Sequence, residues 1–224
     1  MKFLPVLLVL LLIPLSRGLL YLVVWIFHKK ENTENKNGIE IANRMLVRTG
    51  LRSSVNVLLA GDKDCYDPTN NTVYLTEKNN KKTISSLAIS IHEVGHALQM
   101  NERWGLYLFR CKIIQFKEFL ILFTAFSVMW GMVYENLIFV PIISLICLLV
   151  CVVVELIVEI NASVRGCRVY KDNFTIDSAE MKAVGVVLGV AAFTYFADII
   201  NCLYLIVKIL MIAAVKNEKK TVDK

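Results

Sequence analysis

Residues 84–98 read Ile-Ser-Ser-Leu-Ala-Ile-Ser-Ile-His-Glu-Val-Gly-His-Ala-Leu, and this stretch decides the fold. Apolar residues recur along it at helical spacing, and Thr83 or Ser85 can cap its start, so the pattern predicts an α-helix. His92 and His96 are four positions apart and therefore project from the same face of that helix. They are two of the three histidines in the chain. The apolar stripe comprises Ile84, Leu87, Ala88, Ile91, Gly95 and Leu98.

The two histidines have the spacing of a zinc site. Imidazoles one turn apart can each offer a ring nitrogen to one Zn²⁺ ion, and Glu93 then lies beside the metal, where it can take a proton from an activated water. The alternative is a chance match in which the histidines are merely solvated or hydrogen-bonded. Gly95 lies inside the helix, where glycine costs about 1 kcal/mol relative to alanine. We expect its small size to leave room for a strand or a substrate.

A third ligand is needed, because catalytic zinc sites usually combine three protein ligands with one open position. Glu155 and Glu159 lie one helical turn apart at the end of an apolar run, and a carboxylate inside a membrane is a functional candidate. The alternative is that both carboxylates extend to the membrane–water interface or pair with Arg165 and Arg168. The histidine motif favours a ligand role.

Glu159 is the preferred third ligand, because it lies nearer the cytoplasmic end of the run. The small Ala162 and Ser163 follow it and would let another helix pack closely. Glu155 then either contacts the ligands without touching the metal or replaces Glu159 as the third ligand.

The composition predicts a membrane protein, since 56% of the 224 residues are hydrophobic and the mean hydropathy is +0.57. The run at 3–27 is too long for a usual signal peptide and is expected to stay as an anchor. Runs at 119–135 and 138–158 predict a helical hairpin. The run at 183–214 exceeds the hydrocarbon thickness and contains polar residues, so its topology stays open.

The distribution of positive charge predicts which side of the membrane each segment faces. By the positive-inside rule, residues 28–117 and those after 160 are cytoplasmic and the hairpin turn is outside. The net charge of +6 fits contact with an anionic bilayer and gives no case for nucleic acid. The basic residues flanking the spans are Lys29, Lys30, Arg103, Arg110, Lys112, Lys117, Arg165, Arg168 and Lys171.

The polar part between the first two runs predicts a small α+β domain. A short amphipathic helix is expected from Ile39 to the stop at Gly50, with strands at 55–59 and 72–76 and a turn at 67–71. A strand beside the metal helix can bind a peptide backbone along its edge, or can be purely structural. The expected fold is thus a predominantly helical α+β membrane protein with about four transmembrane helices and a small zincin-like cytoplasmic domain.

The expected domain organisation follows these segments. It comprises an anchor at 1–28, a zincin-like domain at 29–117, a transmembrane hairpin at 118–158, a third-ligand segment at 159–182, a membrane helix at 183–215 and a basic tail at 216–224.

Several motifs in one order resemble the YugP-type membrane zinc metallopeptidases, also called neutral zinc metallopeptidases, over most of the chain. The layout is also similar to the HtpX-like proteases, which place a membrane hairpin between the histidines and the glutamate. The motifs are Asp64-Cys65-Tyr66-Asp67-Pro68 with Thr72-Val73-Tyr74-Leu75, Ser85 through Gln99, Val158 through Ser163, and Ala191-Ala192-Phe193-Thr194-Tyr195.

The resemblance implies a gluzincin-like membrane peptidase with one zinc ion held by His92, His96 and Glu159, and with Glu93 as general base. The chain departs from the family pattern twice. Cys65 stands where the family usually has histidine, which leaves open whether that turn contributes to the site. Ile157 replaces a proline and is expected only to straighten a helix.

These residues predict a zinc endopeptidase in the plasma membrane of a prokaryote, acting on peptides or membrane proteins. Tyr195 is a candidate to stabilise the oxyanion, although a tyrosine in an apolar helix more often packs in a core. One alternative is an inactive zinc-containing scaffold that binds membrane partners. Another is a transporter that uses Asp198, Asn201 and Lys208, although no internal repeat supports it. The sequence leaves the oligomeric state open.

Overall fold

The computed structural model describes residues 4–134, 137–175 and 177–222. These residues form six α-helices, three β-strands and a 3₁₀ turn at Glu77–Asn79. The elements are α1 (Leu4–Phe27), α2 (Gly38–Arg48), β1 (Asn56–Ala60), β2 (Cys65–Asp67), β3 (Thr72–Thr76), α3 (Ile84–Asn101), α4 (Gly105–Val133), α5 (Phe139–Asn173) and α6 (Ser178–Val222).

The chain divides into two compact units. The helical unit comprises Met1–Leu15, Phe109–Leu156 and Tyr195–Lys224, and the sheet unit comprises Ser16–Leu108 and Ile157–Thr194. The sheet unit contains α2, the three strands, α3 and the carboxyl-terminal part of α5.

The predicted amphipathic helix is confirmed as α2. Asn37 and Glu40 form a capping box, in which the Asn37 side chain accepts from the Glu40 amide and the Glu40 carboxylate accepts from the Asn37 amide. The helix buries Ile41, Ala42, Met45 and Leu46. It is followed by Gly50 at φ +75°, the left-handed conformation that glycine adopts without strain.

The predicted small sheet is present, with strand order β1-β3-β2. β1 is parallel to β3, and β2 is antiparallel to it with Tyr66 opposite Val73. The strand β2 was not expected, because the sequence indicated only a turn after it. The expected alternation also fails at the end of β1, since Leu59 is 50% exposed on this edge strand.

Helix α3 begins where the sequence predicts. The Thr83 side chain caps it by accepting from the Ser86 amide, and the whole predicted apolar stripe is buried. Part of this stripe lies against α5, where Gly95 contacts the backbone of Ala162 and Gly166 contacts the backbone of Ile91; α3 also packs against α2. The expectation that Gly95 makes room for a strand or a substrate is therefore wrong, because a helix occupies the space.

Three described helices are long and apolar enough to cross a membrane, at Gly105–Gly131, Phe139–Asn173 and Ser178–Ala214. The N-terminal helix α1 contributes a shorter apolar stretch at Leu11–Phe27, so the expected count of four spans stays a prediction. The predicted hairpin turn includes Glu135 and Asn136, which lie outside the described residues. The side chains of the predicted basic tail at 216–224 also lie outside them.

Helix α5 is longer than the predicted span. It continues past residue 158 without a break to Asn173, a length of 35 residues or about 52 Å at 1.5 Å per residue. The segment that follows the apolar run is thus part of the same helix.

Candidate metal centre

Three side chains from two helices converge in the sheet unit. His92 and His96 on α3 and Glu159 on α5 each offer a ligand atom, and these atoms all lie within 4.8 Å of one another. The Nε2 atoms of His92 and His96 lie 3.0 Å and 3.6 Å from Glu159 Oε2. The structure thus brings together the three residues that the sequence singled out as ligands.

These separations suit a tetrahedral zinc ion. Two ligand atoms at 2.0–2.1 Å from a tetrahedral centre lie about 3.4 Å apart, and the two observed distances fall on either side of that value. The site is also shielded from solvent, since His96 is 5% and Glu159 7% exposed. Two imidazoles and a carboxylate match the ligand chemistry of known catalytic zinc sites.

The ring of His96 is oriented by Gln99. The Gln99 amide nitrogen donates to the carbonyl of Val158 at 2.8 Å and to Asn161 Oδ1 at 3.0 Å, which fixes the amide orientation. Gln99 Oε1 then lies 2.9 Å from His96 Nδ1 and accepts a hydrogen bond from its N–H group. We assign the Nδ1-protonated tautomer from this network, which leaves the Nε2 lone pair directed at the metal position.

Ser163 holds the ring of His92 in a similar way. The Ser163 hydroxyl donates a hydrogen bond to the carbonyl of Glu159 at 3.0 Å. Its oxygen lies 2.9 Å from His92 Nδ1 and can therefore accept a hydrogen bond from that nitrogen. With a metal ion bound, both histidines would carry their proton on Nδ1 and present Nε2 as the ligand atom.

Glu93 lies outside the group of three ligand atoms and faces the edge strand β2. Its Oε2 accepts a hydrogen bond from the backbone amide of Tyr66 at 2.8 Å, and the residue is 8% exposed. Because β3 pairs with β2 on the other side, this bond places the outer edge of β2 next to the Glu93 carboxylate.

Cys65 stands on β2 one residue before Tyr66. Burial raises the pKa of the Cys65 thiol, and the nearby Glu93 carboxylate raises it further. The raised pKa favours the neutral thiol at neutral pH, which makes it a poor nucleophile.

The two further residues suggested by the sequence lie in the helical unit. Glu155, on α5, is buried and forms an ion pair with Lys117. The structure thus gives Glu155 a partner other than the metal. Tyr195 is half-buried on α6, and its role in stabilising an oxyanion stays a prediction.

The residues that orient the histidines were missed in the sequence. Gln99 and Ser163 lie in the stretches that carry the family resemblance, but no chemical role was predicted for them. Their spacing offered a signal, because Gln99 is three residues after His96 and Ser163 is four residues after Glu159. Each therefore lies one helical turn from a predicted ligand.

Comparisons with known proteins identify the family of the chain. Residues 3–214 match the family described as "Putative neutral zinc metallopeptidase". The chain is also 32% identical over 190 residues to a protein of Bacillus subtilis (strain 168) named "Putative membrane protease YugP", an alignment that covers 83% of this chain and 84% of the relative. No solved structure matches the chain.

The fold and the two-histidine, one-carboxylate centre define a helical zinc-peptidase-like protein with long apolar helices. The chain belongs to the neutral zinc metallopeptidase family, as its sequence motifs predicted.

Proposed function

We propose that this protein is a membrane-bound zinc endopeptidase with one zinc ion held by His92, His96 and Glu159. The observation that carries the proposal is the convergence of these three ligand atoms within 4.8 Å, with the Nδ1 atom of each histidine held by a neighbouring polar side chain. Membership of a zinc metallopeptidase family supports the same activity.

The chemistry needs one metal and one base. When bound, zinc supplies a Lewis acid that polarises the scissile carbonyl and lowers the pKa of water to about 7. Glu93 takes the proton of the attacking water and passes it to the nitrogen of the leaving amine. The Tyr66 amide orients the Glu93 carboxylate by donating to Oε2, so the other oxygen stays available for the proton.

The outer edge of β2 is the proposed binding position for an extended peptide. A peptide that adds to a strand edge is held through its backbone, which requires little side-chain specificity. The closeness of Tyr66 to Glu93 supports this position, because a backbone bound beside β2 lies next to the base.

We also propose that the site lies at the cytoplasmic surface of the membrane in a multi-pass protein. Glu159 directly follows the most apolar segment of α5, and the sequence between the two preceding apolar runs, residues 134–137, contains no Lys or Arg, whereas basic residues flank the other ends of these runs. Substrates are then membrane proteins or flexible segments that emerge from the bilayer. Tyr195 is the proposed oxyanion donor, and a Tyr195→Phe variant should lose turnover but keep its zinc.

The proposal is tested with full-length wild type and the Glu93→Gln variant in detergent, by measuring bound zinc and cleavage of casein. The expected result is unchanged zinc with cleavage reduced at least about 100-fold in the variant, as expected for loss of a general base. The control is Glu77→Gln, an exposed glutamate of the sheet unit. Equal cleavage by wild type and Glu93→Gln would refute the mechanism. Zinc binding without cleavage by wild type, on casein and on a membrane-tethered substrate, would favour an inactive scaffold.

A further inference from the structure

A groove separate from the ligand atoms of the metal centre runs between α5 and α6. This α5–α6 groove has a volume of about 500 Å³, and its apolar walls include Ile160, Val164, Leu188 and Ala192. The three metal ligands and Glu93 do not line it, whereas Ser163, which contacts His92, does. All of its lining residues belong to the sheet unit. Its volume lies within the usual range for small-molecule sites, about 300–1,000 Å³.

Two glycines keep the groove open on the α6 side. A Cβ atom added at Gly185 or Gly189 would meet no other atom within 4 Å. Gly95 and Gly166 differ, because a Cβ there would collide with the backbone of a neighbouring helix. Close helix packing within the described chain therefore accounts for Gly95 and Gly166, but not for Gly185 and Gly189.

One end of the groove is charged. Arg168, Lys171 and Asp172 line it within little more than one turn of α5, and all three are exposed. No hydrogen bond or ion pair joins their side chains to any residue that the structure describes. Arg165 is different, because it pairs with Glu102 and donates to Asn161.

The charges and the apolar walls together fit an amphipathic ligand. Two unpaired cations suit a phosphate, and the single carboxylate of Asp172 suits a primary amine beside it. From residue 160 to residue 172, α5 extends about 18 Å, so an elongated ligand can lie along the groove with one apolar end and one charged end. Ile160 directly follows the apolar segment of a helix long enough to cross a membrane, so a lipid at the membrane surface can reach the apolar end.

We propose that the α5–α6 groove binds one phosphatidylethanolamine molecule of the surrounding membrane. An acyl chain lies along Ile160, Val164 and Leu188, and Arg168 and Lys171 hold the phosphate. Asp172 accepts from the headgroup amine. The charge pattern favours a lipid over a peptide, because the cations and the carboxylate match the phosphate and amine of one headgroup. Basic pockets between membrane helices are known lipid sites.

The test measures lipid retained by the purified full-length protein after incubation with equal amounts of phosphatidylethanolamine, phosphatidylglycerol and phosphatidylcholine, using native mass spectrometry. Wild type should retain about one phosphatidylethanolamine and prefer it to the other two. Arg168→Gln with Lys171→Gln should lower lipid retention about tenfold or more, because even a modest loss of binding free energy lowers affinity tenfold. The matched control, Lys81→Gln with Lys82→Gln, removes two exposed lysines elsewhere in the sheet unit and should retain lipid normally.

Two further variants test the headgroup and the groove separately. Asp172→Asn should remove the preference for phosphatidylethanolamine over phosphatidylglycerol while leaving total retention high. Gly185→Leu with Gly189→Leu fills open space and should abolish retention, whereas Val186→Leu, an exposed position outside the groove, should not. Unchanged zinc content verifies the fold of each variant.

The proposal fails if wild type and the charge and groove variants retain equal amounts of lipid. It also fails if the groove-filling variant raises KM for casein without changing lipid retention, which would instead make the groove a peptide site. Inorganic phosphate that displaces the lipid at millimolar concentration would reduce the site to a simple anion site and would contradict a lipid-specific groove.

Discussion

Gly95 of α3 packs directly against the backbone of Ala162 of α5, so closely that a Cβ at position 95 would lie 3.1 Å from Ala162 Cα and nearer still to its carbonyl. Gly166 makes the reciprocal contact with the backbone of Ile91. These contacts lie next to the metal centre, since Gly95 is adjacent to His96 and Ala162 is three residues after Glu159. The spacing between α3 and α5 that these contacts permit therefore sets the distance from Glu159 to the two histidines.

Replacing Gly95 with alanine should disrupt the metal centre. The added methyl group must push α3 and α5 apart, and overpacking of this kind typically costs about 1–3 kcal/mol of stability. We expect a lower melting temperature and weaker zinc binding by chelator competition. The control is Gly105→Ala, where a Cβ meets nothing within 4 Å. Full zinc affinity in Gly95→Ala would show that the close contact does not position the ligands.

Replacing Gln99 with leucine should weaken zinc binding about 10- to 100-fold, the usual cost of losing the partner of a ligating histidine. The change removes the acceptor of His96 Nδ1–H and also removes the side-chain amide that donates to the carbonyl of Val158. Chelator competition on the purified variant measures the affinity. Gln115→Leu on the exposed face of α4 is the control. An affinity equal to wild type would mean that Gln99 does not orient His96.

The chemistry of Cys65 should respond to Glu93. Glu93 is the second cause, after burial, of the raised pKa of Cys65, so Glu93→Gln should lower that pKa while leaving it above the ordinary value. Because the thiolate is the reactive form, the variant should react faster with iodoacetamide near neutral pH. The measurement is a pH profile of labelling in zinc-depleted protein that lacks the other cysteines. An unchanged profile would show that the two side chains do not interact, and Glu77→Gln should leave it unchanged.

The ion pair of the buried Glu155 and the half-buried Lys117 should be sensitive to the loss of one partner. Removing one member of a fully buried pair typically costs about 3–5 kcal/mol, and we expect a smaller cost for Glu155→Gln, because the Lys117 side chain that stays is 22% exposed. Glu155→Gln should therefore lower the melting temperature in detergent, and Lys117→Met with Glu155→Gln should recover much of the loss. We expect zinc content to stay at the wild-type level in the double variant. Loss of zinc there would instead support a role for Glu155 at the metal.

The sequence predicted those parts of the site that depend on helical periodicity. The spacing of His92 and His96, the buried stripe of α3 and the Thr83 cap all follow from local rules, and the structure agrees. The sequence favours Glu159 over Glu155 as the third ligand partly because the small residues Ala162 and Ser163 follow it. The contact between Gly95 and Ala162 confirms that the small residue admits a neighbouring helix.

The parts that the sequence did not reveal depend on long-range contacts. β2 has only three residues, too few for an alternating pattern, and it forms because β3 provides a partner. The roles of Gln99 and Ser163 appear only once α3 and α5 lie together, because each links one helix to the other. Similarly, the apolar pattern of α5 ends near residue 158, but the helix continues because α3 packs against its next turns.

The most direct test of the account is zinc K-edge X-ray absorption on the purified wild type. We predict a shell of nitrogen and oxygen atoms at about 2.0–2.2 Å, with the outer scattering of two imidazoles and without sulfur. A sulfur atom at about 2.3 Å would bring a cysteine into the site and contradict the ligand set of two histidines and one glutamate. A shell without two imidazoles would contradict the metal centre of His92, His96 and Glu159 itself.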